Sequence, residues 1–263
     1  MTEPLPRLVG MVHLLPLPGS PGFGGSIDEV LDTAAEDARV LAAAGFRSLI
    51  VENFGDVPFF AEAVPAETIA AMTLAVSRVA EAGVAVGVNV LRNDAMAAIG
   101  IAAATGARFV RVNVLTGVMY TDQGPIVGKA AQLSRARATV APGVEVWADV
   151  MVKHAVPPPG TDIGQVAMDT VERAGADALI VSGSGTGAEL DLSEGRVVRD
   201  SVPAGTRLVA GSGVTTDNLD RILGVVDTVI VGSSLKAGGD PNQRPDPLRV
   251  TAFVERAMER GLA

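Results

Sequence analysis

Hydrophobic residues recur along this chain in one repeating unit. An alanine-rich stretch with helical spacing is followed by a glycine and then by a short, β-branched run that ends in polar or small residues. A glycine just past a helix end adopts the left-handed conformation that starts the loop to the next strand. With one apolar run before the first unit and one after the last, the pattern predicts eight strands, at 8–12, 46–51, 84–90, 108–114, 144–152, 177–181, 207–210 and 228–231.

The segments between these strands have the periodicity of amphipathic helices. Residues 27–44 follow a capping box made by Ser26 and Glu29, and residues 66–82 carry apolar side chains at similar spacing. Strands that alternate with such helices form parallel βαβ units, and eight units close into a barrel. The predicted fold is therefore α/β, a single (β/α)8 TIM-barrel domain over residues 1–263. Predicted caps of later helices are Asn93 or Asp94, Thr161, and Thr215 or Thr216.

The last two predicted strands each end in a turn of small residues. Residues 208–214 read LVAGSGV and residues 229–236 read VIVGSSLK. Glycine lets the backbone approach an anion, serine adds donors, and barrels of this type form a phosphate site after strands 7 and 8. Two ordinary turns that need glycine for a positive φ are the alternative. The residues predicted to bind phosphate are Gly211, Ser212, Gly213, Gly232 and Ser233.

Side-chain alternation in the strands predicts which residues point into the barrel. In the fourth and fifth predicted strands, Val114 and Val152 are among the valines expected to face the helices, while Met151 is expected inside. Active sites of this fold lie at the carboxyl ends of the strands. The polar ring predicted at that end consists of His13, Glu52, Asn89, Arg111, Asn113, Asp149 and Lys153.

Lys153 and His154 are predicted to end the fifth strand. A lysine in a site of low dielectric can lose its proton and act as a base or Schiff-base nucleophile. It can also stay charged and bind an oxyanion, or form an ion pair with Asp149 or Glu52. The chain has two histidines, and both follow predicted strands, so His13 and His154 are candidates for the site.

The carboxylates Asp149 and Glu52 leave three interpretations open. They can act as general acid and base. They can bind a hard divalent ion together with His13 and Asn89. One or both can instead neutralise Arg111, because a buried charge must be paired.

Two loops are predicted to act as lids or specificity elements. Residues 115–125 contain the only tyrosine, and residues 182–187 are a run of small residues that begins with Ser182, a predicted substrate contact. Both loops could instead be flexible connections.

Composition narrows the class of protein. A formal charge of −9 argues against binding to nucleic acid or to an anionic membrane. The absence of cysteine excludes disulfides and thiolate sites. Because no segment resembles a signal peptide or a membrane span, we expect a soluble cytoplasmic protein.

Several segments of the chain form longer motifs. They read GMVH at 10–13, LPLPGSP at 15–21, GVNVLRND at 87–94, FVRVNV at 109–114, TDQG at 121–124 and ADVMVKHA at 148–155. These motifs resemble the BtpA/SgcQ family, and the resemblance runs from about residue 8 to residue 236. It implies a barrel of the ribulose-phosphate-binding type. The family is named after a cyanobacterial member linked to photosystem I accumulation, other members accompany sugar-utilisation genes, and no reaction comes with the resemblance.

The sequence thus predicts an enzyme that acts on a small phosphorylated metabolite, a sugar phosphate or nucleoside phosphate, by isomerase, epimerase or lyase chemistry. No cofactor is required, and assembly into a homo-oligomer is compatible with the pattern. The alternatives are a non-catalytic assembly factor that keeps a phosphate-binding barrel, and a metal-assisted hydrolase that uses a divalent metal. The predicted catalytic residues are Asp149, Lys153, His13, His154 and Glu52, and the predicted substrate contacts outside the turns are Asn89, Arg111, Asn113 and Ser182.

Overall fold

A closed barrel of parallel strands forms the centre of the computed structural model, which describes residues 4–183 and 185–262. The barrel order is β1-β2-β3-β4-β7-β9-β10-β11, and β11 pairs with β1 to close it, so the predicted (β/α)8 fold is confirmed. In chain order the strands are β1 (Leu8–His13), β2 (Ser48–Glu52), β3 (Ala85–Asn89), β4 (Phe109–Val112), β5 (Val118–Thr121), β6 (Gly124–Val127), β7 (Glu145–Asp149), β8 (Ala155–Val156), β9 (Ala178–Val181), β10 (Arg207–Ala210) and β11 (Thr228–Val231).

Helices connect the barrel strands and cover the outside of the barrel. A π-helical turn, Asp169–Arg173, continues the fifth helix, and 3-10 turns follow the last strand at Ser233–Leu235 and Ala237–Gly239. The α-helices are α1 (Ile27–Ala44), α2 (Ala66–Ala80), α3 (Ala95–Thr105), α4 (Ala130–Val140), α5 (Ile163–Met168), α6 (Leu192–Ser201), α7 (Leu219–Leu223) and α8 (Pro247–Met258).

The helix caps follow the sequence prediction in part. Asp94 caps α3, since its side chain accepts a hydrogen bond from the Ala97 N–H. The prediction of Thr215 or Thr216 as a cap is wrong for α7, whose N-cap is Asn218. Thr215 Oγ1 instead accepts from the Asn218 N–H at 3.3 Å in the turn before the helix. The prediction for Thr161 is wrong: Asp162 caps α5, because its carboxylate accepts from the Gln165 N–H.

The strands separate two hydrophobic cores, as their alternation predicts. Val110 and Val112 pack in the large core between strands and helices, whereas Phe109 and Trp147 lie in the smaller core inside the barrel. The Phe109 and Trp147 rings stack with centroids 4.1 Å apart. Gly87 makes room for them, because a Cβ there would lie 2.2 Å from the Phe109 ring. These side chains therefore fill the barrel interior toward the amino ends of the strands, and the polar ring lies toward the carboxyl ends.

The fourth and fifth barrel strands are shorter than predicted. β4 ends at Val112 and β7 ends at Asp149, so the chain leaves the barrel before Val114 and Val152. The prediction that these two valines face the barrel helices is wrong. They form a third small core with Met119 and Ile126, against which Met151 packs instead of pointing into the barrel.

The loop predicted as a lid at 115–125 is a β-hairpin. β5 pairs with β6, and Tyr120 and Thr121 of β5 pair with β8, which gives a separate three-stranded sheet. This sheet joins the connection after β4 to the connection after β7. The other predicted lid, 182–187, includes Ser184, which lies outside the described residues. Among residues 4–183 and 185–262, no helix is long and apolar enough to cross a membrane.

Candidate functional site

The two glycine turns open into one cavity at the carboxyl-terminal end of the barrel. Turn 211–213 follows β10 and turn 232–234 follows β11, and both line a cavity of about 250 Å³, here called the C-terminal cavity. Ser234 Oγ donates to the Val214 carbonyl at 2.6 Å and so joins the two turns. The cavity is lined by Met11, His13, Lys153, Thr186, Gly187, Gly211, Ser212, Gly213, Val214, Thr215, Ile230, Gly232, Ser233, Ser234, Gly239 and Arg249.

Backbone packing requires glycine in the first of these turns. Gly213 has φ +68°, and a Cβ there would lie 2.1 Å from the Ala188 carbonyl oxygen. A Cβ on Gly211 would lie 2.4 Å from Ile180 Cγ2 and 2.6 Å from Ser182 Oγ. The turn therefore presents backbone rather than side chains to the cavity, as a phosphate-binding turn does.

Arg111 and Asp149 form a buried ion pair at the carboxyl end of β4 and β7. Arg111 Nε and Nη2 donate to the two Asp149 oxygens at 2.9 and 2.8 Å. Asn113 Nδ2 also donates to Asp149, at 3.1 Å, and Ser182 Oγ lies 3.5 Å from it. Because both carboxylate oxygens accept hydrogen bonds, this geometry is that of charge neutralisation, the third of the interpretations left open by the sequence.

Two buried polar atoms of the polar ring have no hydrogen-bond partner among the described residues. Asn89 Nδ2 donates to the Arg111 carbonyl and to Asn113 Oδ1, at 3.2 and 3.1 Å. Within the described part of the chain, Arg111 Nη1 and Asn89 Oδ1 are buried and make no hydrogen bond. A buried donor and acceptor without partners cost free energy, so a ligand or water that bonds to them is stabilised.

His13 lies at the end of β1, where burial and nearby cations disfavour its charged form. Its ring stacks on Phe54 with centroids 4.3 Å apart, and its Nε2 is 3.8 Å from Glu52 Oε1. Burial, followed by the positive charge of Lys236, lowers the pKa of His13 to about 3. His13 is therefore a neutral imidazole near pH 7.

Lys153 reaches the C-terminal cavity from the loop after β7, four residues beyond the end of the strand. Burial lowers its pKa, and the nearby Arg111 lowers it further. Arg92 Nη2 donates to the Lys153 carbonyl at 2.5 Å and fixes this part of the loop. A lysine held this way is suited to proton transfer.

His154 lies at the rim of the cavity. Its backbone φ is +57°, its side chain is exposed, and its Nε2 accepts from the Thr186 N–H at 3.1 Å. His154 thus contacts the 182–187 loop, two of whose residues, Thr186 and Gly187, line the cavity.

The predicted site residues therefore fall into two groups, with Glu52 and His154 outside both. His13, Lys153 and the five turn residues share the C-terminal cavity, while Arg111, Asn113, Asn89 and Asp149 form the network beside it. Glu52 is next to His13, and His154 is at the rim. Among the described residues, no group of three or more His, Cys, Asp or Glu side chains is placed to hold a metal ion.

Several residues of the site were missed by the sequence prediction. Lys236 is buried after the second turn, and its Nζ lies 3.1 Å from His13 Nδ1. Arg249 of α8 lines the cavity and donates to the Ser234 carbonyl at 3.3 Å. The available signal for Lys236 was its rarity, since it is one of three lysines and directly follows the VIVGSSL stretch.

The fold and the cavity define a (β/α)8 barrel with a polar site at the carboxyl ends of its strands. The model of the BtpA family matches residues 5–259, and the chain belongs to this family. It is 46% identical over 256 residues to the photosystem I biogenesis protein BtpA of Synechocystis. This alignment covers 97% of this chain and 88% of that protein. The chain is 30% identical over 253 residues to the sgc region protein SgcQ of Escherichia coli, over 95% of this chain and 93% of that protein.

Solved structures share the fold at low sequence identity. Thiamine phosphate pyrophosphorylase from Pyrococcus furiosus superposes with a TM-score of 0.59 and 16% identity, covering 96% of both chains. Phosphoribosyl anthranilate isomerase from Thermus thermophilus gives a TM-score of 0.58 and 13% identity, covering 97% of this chain and 99% of that one. At this level of identity the likeness establishes the barrel and carries no statement about activity.

Proposed function

We propose that this chain is an enzyme that binds a small phosphorylated metabolite in the C-terminal cavity and transfers protons on it. The observation that carries the proposal is that turns 211–213 and 232–234 line the same cavity as His13 and Lys153. Phosphate bound to the turns would hold the rest of the ligand against two groups able to exchange protons. The cavity volume of about 250 Å³ suits a metabolite of the size of a sugar phosphate.

The charges near the cavity favour a dianion although the whole chain carries −9. Among the described residues that line the cavity, Lys153 and Arg249 are cations and none is a carboxylate. When Lys153 is protonated, the lining therefore carries two positive charges. A phosphate dianion would balance these charges, and it would hold Lys153 in its charged form.

The geometry supports a division of roles among the predicted catalytic residues. Lys153 is the candidate base, because it lines the cavity and its pKa is lowered. Asp149 is proposed to position Arg111 and Asn113 rather than to transfer protons, since its oxygens are taken by hydrogen bonds. Arg111 Nη1 is left to donate to a substrate oxygen, and Asn89 Oδ1 is left to accept from a substrate hydroxyl group. This set suits isomerase, epimerase or lyase chemistry at a carbon beside a carbonyl group.

The names of structural neighbours are compatible with this proposal. Thiamine phosphate pyrophosphorylase and phosphoribosyl anthranilate isomerase are both named for phosphorylated compounds. The printed name of the Synechocystis relative favours a second candidate, a non-catalytic factor in photosystem assembly that keeps the barrel as a scaffold. The two candidates differ in whether a sugar phosphate binds the cavity.

Thermal unfolding in the presence of a panel of sugar phosphates and nucleoside phosphates tests the proposal. A ligand at a hundred times its Kd stabilises the folded state by about 2.7 kcal/mol. We expect at least one phosphorylated compound to raise Tm, and we expect Ser233→Glu to abolish the increase by placing a carboxylate in the turn. Ser77→Glu is the matched control, because it adds the same charge on the exposed face of α2. If no compound raises Tm of the wild-type chain, the enzyme proposal is wrong and the non-catalytic assembly factor is favoured.

A further inference from the structure

His13 and Lys236 are brought together by the closure of the barrel. β1 pairs with β11, so the end of β1 lies beside the chain that follows β11, although the two residues are far apart in the sequence. Lys236 Nζ lies 3.1 Å from His13 Nδ1 and donates to the Pro241 carbonyl at 2.7 Å. His13 Nδ1 is itself 3.0 Å from the same carbonyl oxygen. The three atoms form a closed triangle of hydrogen-bonding distances.

The Cε1 atom of the His13 ring faces turn 232–234. A Cβ on Gly232 would lie 3.9 Å from His13 Cε1, and glycine leaves this space free of a side chain. Glu52 Oε1 is 3.8 Å from Nε2, which is too far for a hydrogen bond. Phe54 fixes the plane of the ring by stacking on it. Nε2 is therefore available to a ligand, while Nδ1 is within hydrogen-bonding distance of Lys236.

The hydrogen-bond donors and acceptors of Lys236 link the tautomer of His13 to the charge of Lys236. An ammonium group has only donors, so a charged Lys236 donates to Nδ1 and leaves the ring proton on Nε2. A neutral amine has a lone pair, so it can accept from an Nδ1–H group, or that group can donate to Pro241. In that case Nε2 carries no proton. Loss of one proton from Lys236 thus allows the ring proton to move to Nδ1, where the Pro241 carbonyl at 3.0 Å accepts it, and Nε2 then changes from a donor into an acceptor.

We infer that His13 and Lys236 form a proton relay that serves as the general acid of the site. The inference rests on the proposed function. In the forward step the Nε2–H proton moves to a substrate oxygen, Nδ1 takes a proton from the Lys236 ammonium group, and Lys236 is left as a neutral amine. The reverse transfers restore the starting state, so the step needs no other reactant. His13 is the catalytic residue, and Lys236 is a positioning residue that acts through it.

A relay explains how a histidine with so low a basicity can work near neutral pH. Burial lowers the pKa of Lys236 to about 8, and the pKa of His13 is about 3, so the imidazolium is not formed at rest. A general acid is most effective when its pKa is near the working pH, and Lys236 supplies that value to the pair. The charged groups that act on Lys236 are Asp37, Glu52, Asp240 and Arg244, and those that act on His13 are Lys153, Arg111 and Lys236 itself.

Nitrogen NMR of the full chain labelled with ¹⁵N-histidine tests the relay directly. The chain has two histidines, so His154→Gln assigns the spectrum. In the wild-type chain we expect the ring proton of His13 to move from Nε2 to Nδ1 as the pH rises, with a midpoint at about pH 8. The ring stays neutral on both sides of the transition. A His13 tautomer that does not change between pH 6 and pH 10 would overturn the inference without the use of any variant at His13 or Lys236.

Two substitutions at Lys236 separate the relay from a merely structural contact. Lys236→Met is expected to abolish the tautomer change, because no group remains to titrate. Lys236→Arg is expected to keep the proton on Nε2 throughout, since guanidinium stays charged. A transition near pH 8 that persists in Lys236→Met would assign the titration to another group and contradict the relay.

Inorganic phosphate distinguishes this inference from the proposed function. A dianion bound at the two turns stabilises the ammonium form, so phosphate is expected to move the midpoint above pH 8. A tautomer change that ignores phosphate would contradict the phosphate site and leave the relay intact. Saturable phosphate binding without any tautomer change would contradict the relay alone.

Discussion

At the scale of single residues, contacts decide which of several chemical roles a side chain can take. Alternation along the strands was sufficient to predict that Arg111 and Asp149 lie at the same end of the barrel. It does not predict that two Arg111 nitrogens bond to both Asp149 oxygens, because this depends on distances across neighbouring strands. Lys236 shows the same limit, since its partner His13 is 223 positions away in the sequence.

The ion pair of Arg111 and Asp149 leads to a prediction about stability. Asp149→Asn leaves a buried guanidinium without its counter-charge, and we expect a loss of about 3–5 kcal/mol in the free energy of unfolding. Adding Arg111→Met is expected to recover part of this loss, because the unpaired charge is removed. Urea unfolding measures both variants.

Glu36→Gln is the matched control for that prediction. It removes the carboxylate from an ion pair with Arg39 in which both side chains are more than half exposed, so we expect a loss of less than about 1 kcal/mol. If Asp149→Asn is as mild as Glu36→Gln, the buried pair is not structural, and Asp149 becomes free for the acid–base role that the sequence first indicated.

At the scale of secondary-structure elements, the barrel strands could be predicted and the sheet outside the barrel could not. A glycine precedes most of the barrel strands, and amphipathic helices separate them. β8 has two residues, and its pairing with β5 joins parts of the chain more than thirty positions apart. Sequence periodicity contains no signal for so short a pairing. Because β7 ends at Asp149, Lys153 lies in the loop after the strand and not in the strand itself.

The small core under this sheet leads to a prediction about loop dynamics. Ile126 is fully buried and packs with Val114, Met119 and Val152, one residue before Lys153. Ile126→Ala removes part of this core, so we expect a local loss of about 2–5 kcal/mol and faster amide exchange in 118–127 and 155–156.

Val127→Ala on the same strand is the control, because Val127 is 50% exposed. Hydrogen exchange followed by mass spectrometry checks both variants. We expect the protection of the barrel strands to be unchanged. Uniform loss of protection over the whole chain would show that the sheet outside the barrel does not unfold as a separate unit.

At the scale of the whole molecule, closure of the barrel produces the site. The turns after β10 and β11 meet His13 only because β11 pairs with β1. The sequence predicted this closure and the residues at the strand ends, since both follow from periodicity and chain order. It did not predict the local balance of charge, in which cations collect at the cavity of an acidic protein.

The central claim is that the C-terminal cavity binds a phosphate group between its two glycine turns. A crystal structure of the chain with ribose 5-phosphate tests this most directly. We predict electron density for the phosphate within hydrogen-bonding distance of the backbone at 211–213 and 232–234, with the sugar toward His13 and Lys153. Density for the phosphate at another site, with this cavity empty at a concentration that raises Tm, would contradict the account.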